Sequence, residues 1–188
     1  MAGLFMLARS GLWFGGALIL LSAVLIGIDV FLRKVFVVSI GGADELAGYA
    51  LAIGTVWALA ATLLERGHIR IDSLYMLLPA PIRIVLDFVG LILLVGFFAL
   101  VFWHGIGVFE QSWVSRSRSQ SALETPLVIP QAIWLIGLAM FVLVGVALFL
   151  AALARLVRGD RAGASAMIGT RSSAEEVAEE VRAAERRR

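Results

Sequence analysis

The chain has 188 residues, of which 61% are hydrophobic and 16% charged, with a formal net charge of +2 and no cysteine. Soluble domains average nearer half apolar and a quarter charged, so this composition argues against a water-soluble globular protein, and it is far too apolar for disorder over most of its length. The lack of cysteine removes disulfides, thiolate metal sites and iron–sulfur clusters, and arginines near the ends of apolar runs fit membrane topology better than nucleic-acid binding.

A membrane-crossing helix needs about 20 mostly apolar residues, and four segments qualify. The first runs from Gly11 to about Leu32, interrupted only by Asp29. It is too long for a signal peptide, and Asp29-Val30-Phe31-Leu32-Arg33-Lys34 is no small-residue cleavage site, so it is expected to stay as an anchor. Asp29 and Arg33 stand four apart and can pair on one helix face. The functional alternative is a proton or substrate relay, because ionisable groups within a membrane are costly. Arg33 and Lys34 mark the interface, which favours a local ion pair.

The first outer loop, Val35 to Ala43, is short and contains glycine. Asp44 and Glu45 then precede the uncharged second span, Leu46 to Leu64. Carboxylates there suit a helix start, and they equally suit a contact with a partner on the outer side. The inner loop holds Arg66, His68, Arg70 and Asp72. His68, between two arginines, reads as a hydrogen-bonded structural residue rather than a ligand. Asp72 or Ser73 can cap a short helix with Leu74, Leu77 and Leu78 on one face, lying in the membrane interface. Pro79 ends it, and Pro81 suits the first turn of the next helix.

The third span, Ile84 to Phe109, carries only His104 after Asp87. His104 lies roughly 25 Å along the helix from Asp87, so His68 and His104 fall near opposite membrane faces and cannot share one haem or metal. No HExxH, nucleophile elbow or glycine-rich phosphate loop is present. The expectation is therefore no enzyme, no cofactor and no metal. The second outer loop, Glu110 to Thr125, sets five serines around Arg116 and Arg118 and is expected to be polar and mobile. Thr125-Pro126-Leu127-Val128-Ile129-Pro130 opens the fourth span, which reaches Ala154 without a charge. That span is over 40 Å long against a core of roughly 30 Å, so it must tilt or project. Trp103, Trp113 and Trp134 fall toward the outer leaflet, as aromatic anchors do. Beyond Arg158 the chain turns polar, with a capping-box-like Ser173-Ala174-Glu175-Glu176, and reads as a solvated, partly helical tail without a site.

Small residues recur at helix-packing spacing in Gly11 and Gly15, in Ala23 and Gly27, and in Ala50, Gly54 and Ala58. They pack the four spans together or meet another subunit. A substrate path needs broken helices and polar groups at the midplane, and the spans offer neither. An even number of spans puts both termini on one side, which holds twelve arginines against four basic residues opposite; without the segment from Arg171 onward the margin is seven to four. The positive-inside rule makes that side cytoplasmic. The expected fold is an all-α integral membrane protein with four transmembrane helices, both termini inside, and a short interfacial helix between spans 2 and 3. Residues 1–158 form the membrane domain and 159–188 a polar cytoplasmic tail.

The order Asp29…Arg33, Asp44-Glu45-Leu46-Ala47-Gly48-Tyr49, Arg66-Gly67-His68-Ile69-Arg70-Ile71-Asp72, Leu78-Pro79 and Thr125-Pro126-Leu127-Val128-Ile129-Pro130 resembles the small membrane subunit, the DctQ type, of tripartite ATP-independent periplasmic (TRAP) transporters. The resemblance covers about residues 10 to 158. It implies a four-helix subunit of a bacterial inner membrane with both termini cytoplasmic, bound to a large membrane subunit that carries the sodium and substrate sites and moves as an elevator. It also implies a periplasmic binding protein that delivers the substrate, an organic acid carboxylate, with sodium-driven symport and no use of ATP. On this reading the chain is a scaffold in contact with membrane lipid, with no nucleic-acid partner. The inner Arg66-to-Asp72 segment, including His68, fixes an interfacial turn. Arg33, Asp44, Glu45, Arg116 and Arg118 present charge to the binding protein, while Asp29, Pro126 and Pro130 are structural candidates. The competing classes are a stand-alone channel or carrier, a redox membrane anchor, and a four-helix anchor or scaffold of an unrelated complex. The first needs polar residues along the spans and the second paired histidines. Only the motif match separates the third.

Overall fold

Backbone polar groups find no water in lipid, so apolar segments of this length satisfy themselves as helices. A computed structural model describes residues 2–67, 75, 78–169, 181 and 185. The helices are α1 (Ala2–Phe36), α2 (Ala43–Leu64), α3 (Ala80–Ser115), α4 (Val128–Val157) and α5 (Arg161–Ile168). The first four are long and apolar enough to cross a membrane, as the composition requires. Among the described residues the only β pairing is an isolated bridge between Arg118 and Pro126.

The helices outrun their apolar stretches. α1 has 35 residues and α3 has 36, about 52 and 54 Å at 1.5 Å per residue. Polar residues such as Glu110 and Gln111 do not break a helix; changes of backbone conformation do. Gly42, at φ 91°, stands immediately before α2. Pro79 is extended before α3, which carries a proline in its first turn. Arg116, at φ 49°, ends α3 in the left-handed region. The short helix expected after Asp72 falls, apart from Tyr75 and Leu78, outside the described residues, and Ser173-Ala174-Glu175-Glu176 lies outside them as well.

The helices stand in a row, α1 on α2, α2 on α4 and α4 on α3. Phe141, Val144 and Leu148 of α4 meet Ala60, Ala61 and Leu63 of α2 and Leu91 of α3 in the core. Within the apolar stretches 44% of α4 and 33% of α2 is buried, against 11% of α1 and of α3. The two middle helices are therefore enclosed, and the two flanking ones expose most of their surface.

Glycines set the close contacts. A Cβ added to Gly15 would lie 2.4 Å from the Gly54 carbonyl oxygen, so α1 and α2 cross backbone to backbone. Trp57 ties this crossing to α4. Its indole Nε1 donates to the Ile133 carbonyl at 2.9 Å, and its ring meets Phe14 edge-on at 4.9 Å. A Cβ on Gly137 would come within 2.7 Å of the same ring. Gly11, Gly15 and Gly54 thus serve packing within the chain. Gly27 has open space around it and Ala23 is exposed.

The segment after Arg158 is not solvated throughout. Asp160 caps α5 by accepting from the Gly163 N–H at 2.8 Å. Ala164 and Ile168, four apart on one face, are buried where α5 packs on α4 and α3. Two apolar residues in a polar stretch are a weak signal along the chain, but the ends of α3 and α4 give that short face something to cover.

Candidate partner-docking face at the loop end

The two outer loops sit at one end of the row, and the start of α1 and the end of α2 at the other. Asp29 lies in the last two turns of α1 and is buried. Arg33, one turn on, pairs with its Oδ2. Its Oδ1 accepts from the Ser39 hydroxyl at 3.0 Å and from the Ile40 N–H at 2.6 Å. The same Arg33 nitrogen lies 3.5 Å from Asp44 Oδ2 on α2. The carboxylate thus clamps the chain leaving α1 against its own helix, and Arg33 links that clamp to the start of α2. Among the described residues its polar partners, Arg33, Ser39 and Ile40, all belong to this end of the chain.

Glu45, in the first turn of α2, reaches across to the second outer loop. Its Oε2 accepts from the hydroxyls of Ser119, at 2.9 Å, and Ser121. Those hydroxyls in turn accept from the N–H groups of Thr125 and Leu123, both at 3.1 Å. The Ser119 N–H donates to the Thr125 carbonyl at 2.9 Å, and the Leu127 N–H to that of Ser117 at 3.1 Å. Arg118 Nη1 donates to the Glu124 carbonyl at 3.2 Å. The serine-rich loop, expected to be mobile, is a hydrogen-bonded turn seated on a carboxylate. The two loops also touch directly: a Cβ on Gly42 would sit 2.4 Å from Leu123 Cγ. With φ at 91° as well, that position requires glycine.

Glu45→Ala removes the acceptor for two serine hydroxyls. Amide exchange over residues 117–127 is expected to quicken about tenfold, the scale of one or two lost hydrogen bonds. Glu45→Gln keeps an acceptor oxygen and is expected to restore most of the protection. Hydrogen exchange read by mass spectrometry checks both, and unchanged protection in the alanine variant would contradict this role.

The rim is mixed in charge. Arg33 is half-exposed, and Asp44, Arg116, Arg118 and Glu124 are exposed. Val37 stands beside them, 90% exposed. The Pro126 carbonyl accepts from the Ile129 N–H at 3.1 Å as α4 begins. Pro130 is buried and lines a cavity of about 230 Å³ with Tyr49, Ile53, Gln131 and Trp134. Eight of the candidates, Asp29, Arg33, Asp44, Glu45, Arg116, Arg118, Pro126 and Pro130, therefore gather at the loop end. Arg66 stands at the other end, just past α2, in the left-handed region at φ 57°. His68 and Asp72 lie outside the described residues. Among the described residues no three His, Cys, Asp or Glu side chains converge, and no metal site is assigned.

Sequence reasoning missed Ser119 and Ser121, because no local spacing pairs them with Glu45, 74 and 76 residues away. It also passed over Asp87. This carboxylate is buried, accepts from the Tyr75 hydroxyl at 2.8 Å, and stands where a Cβ on Gly169 would come within 3.2 Å. Its signal was present in the chain: a lone aspartate at the start of an apolar run.

Four apolar helices in a row, joined at one end by short loops carrying charge, define a multi-pass helical membrane protein. The family described as tripartite ATP-independent periplasmic transporters, DctQ component, matches residues 22–158. The chain belongs to that family, the small membrane component of TRAP transporters, and is a transport component rather than an enzyme. No curated protein matches the chain, and no solved structure does.

Proposed function

We propose that this chain is the static scaffold subunit of a sodium-coupled TRAP transporter that takes up an organic acid carboxylate. It sits in a bacterial inner membrane with both termini in the cytoplasm, and residues 159–188 belong to that side. The family match over residues 22–158 carries the reading. The excess of arginine at the end holding both termini supports the orientation. The large bare surfaces of α1 and α3 suit a subunit that completes its burial against a bigger membrane chain. The loop end, tied together through Asp29 and Glu45, gives a periplasmic binding protein a firm landing surface.

The test is purification of the tagged chain from its host in gentle detergent, followed by reconstitution with whatever accompanies it. The expected result is a large multi-span partner in near one-to-one amount. With a binding protein added, the vesicles should take up a labelled organic acid under an inward sodium gradient and not under a potassium gradient. Purification alone, or with a soluble oxidoreductase, would overturn the reading. For the landing surface Arg116→Glu is the clean probe, because Arg118 also braces its own loop. The reversal is expected to weaken binding-protein docking several-fold at low salt and less at high salt. Docking unaffected at both would remove Arg116 from that surface.

A further inference from the structure

At the end of the row away from the outer loops, a carboxylate is shut in by the last helix. Asp87 stands two turns into α3 and is 1% exposed. Its Oδ2 accepts at 2.8 Å from the hydroxyl of Tyr75, in the segment joining α2 to α3. The Arg83 guanidinium, one turn before Asp87, lies 6.0 Å from the centre of the Tyr75 ring, within reach of a cation–π contact. The chain leaving α5 passes over the same oxygen. A Cβ on Gly169 would come within 3.2 Å of Asp87 Oδ2 and 2.6 Å of the Ser165 carbonyl oxygen. The backbone there, at φ −72°, is open to any residue, so glycine is required by closeness and not by conformation.

The helix that covers this carboxylate cannot stand alone. α5 has eight residues, too few to persist as a helix in water. Gly159, at φ 82° with open space around it, turns the chain back from α4, and Asp160 caps the start. Ala164 and Ile168 are buried, and Ile168 joins the core cluster with Leu91, one turn beyond Asp87. Met167 packs against that cluster, whereas Arg161, Ala162 and Ala166 are exposed. Folding of α5 and its docking are thus one event, and docking brings its end over Asp87. A hydroxyl-to-carboxylate hydrogen bond is strong where water is kept out and weak where water competes.

We propose that α5 is a latch: docked, it seals Asp87 from water and so pins the segment joining α2 to α3 through Tyr75; undocked, it opens both together. Whatever draws the segment after Arg158 away from α3 and α4 releases that loop. The outer loops, held through Asp29 and Glu45 at the other end of the row, stay in place. The device rests on the fold of this chain alone and stands apart from the transporter reading.

The test uses the full chain in mild detergent. Carbodiimide with glycine ethyl ester labels accessible carboxyl groups, mass spectrometry locates the label, and amide exchange at Gly163 and Gly169 reports the docking of α5. In the unaltered chain Asp87 and Asp29, both buried, are expected to resist labelling while the exposed Glu124 reacts. Ala164→Glu puts a charge on the buried face of α5. It is expected to speed exchange at both glycines and to raise labelling of Asp87 about tenfold or more, with Asp29 unchanged. Exchange at Leu78, whose N–H donates to the Tyr75 carbonyl at 3.1 Å, should quicken alongside. Ala166→Glu, on the exposed face, should leave these readings within about twofold. An opened α5 with Asp87 still protected would overturn the seal. An opened Asp87 with unchanged exchange at Leu78 would overturn the pinning of the loop, and an α5 still protected in the Ala164→Glu variant would overturn the latch itself. If Asp29 opens too, that variant has unfolded, and Ile168→Ala, which removes apolar contact without adding charge, is read on the same groups. It is expected to raise labelling of Asp87 about threefold, and labelling equal to that of the unaltered chain would overturn the proposal.

Discussion

Asp29→Ala is expected to lower stability by about 2–3 kcal/mol, the largest loss from any single polar side chain at the loop end. The substitution leaves the Ile40 N–H and the Ser39 hydroxyl without their acceptor and Arg33 without its buried partner. The ion pair itself is the smaller share, because Arg33 is half-exposed and keeps Asp44 within 3.5 Å. Most of the loss comes from the backbone and hydroxyl donors beside a buried site. In detergent this corresponds to a fall of about 5–10 °C in melting temperature for a chain of this size. Asp29→Asn keeps an acceptor for Ile40 and Ser39 and gives up the charge, so it should fall between. An alanine variant melting with the unaltered chain would show that the clamp is not holding this end of α1.

Gly15→Val is expected to be at least as damaging, about 3 kcal/mol, through shape alone. The new Cβ would lie 2.4 Å from the Gly54 oxygen and 3.1 Å from its Cα. Both are backbone atoms of α2, so no side chain can swing aside, and α1 must move away as a body. That movement also parts Phe14 from Trp57 and loosens the contact of Gly11 with Trp57 and Met140. Gly16, the next residue, has nothing within 4 Å of its added Cβ. Gly16→Ala should therefore stay within about 0.5 kcal/mol or stabilise slightly through helix propensity. Thermal unfolding of the two variants side by side checks the argument, because adjacent glycines are expected to differ by several degrees. Similar melting temperatures would place the α1–α2 crossing elsewhere.

The contrast between Gly15 and Gly27 marks how far the sequence was legible. Both stand in small-residue pairs four apart, yet one is pressed against a backbone and the other faces open space. Spacing shows that a helix has a smooth face; it does not show which neighbour uses that face. The Asp29–Arg33 pair was readable because its geometry lies within one helix. The Glu45 network was not, because its hydroxyl donors arrive from a loop two helices later. Helix ends were not legible for a related reason. Apolar runs mark the part of a helix inside lipid, whereas Gly42, Pro79 and Arg116 set where the backbone stops being helical. The α5 face is hidden in a polar stretch, since two apolar residues gain meaning only when α3 and α4 end beside them.

The sequence by itself determined that the chain is built of four membrane-length helices, since each segment is apolar enough to leave water and must then satisfy its own backbone. It also determined the charged ends of those helices and, through its motifs, the family. Only the tertiary structure decided that α2 and α4 stand in the middle and α1 and α3 on the flanks, and hence that His104 is exposed while Asp29 and Asp87 are enclosed. The physical reason is that lipid is as apolar as leucine. Hydrophobicity drives each helix into the membrane but does not choose its neighbours, and that choice falls to the fit of surfaces such as Gly15 on Gly54 and Trp57 against Gly137.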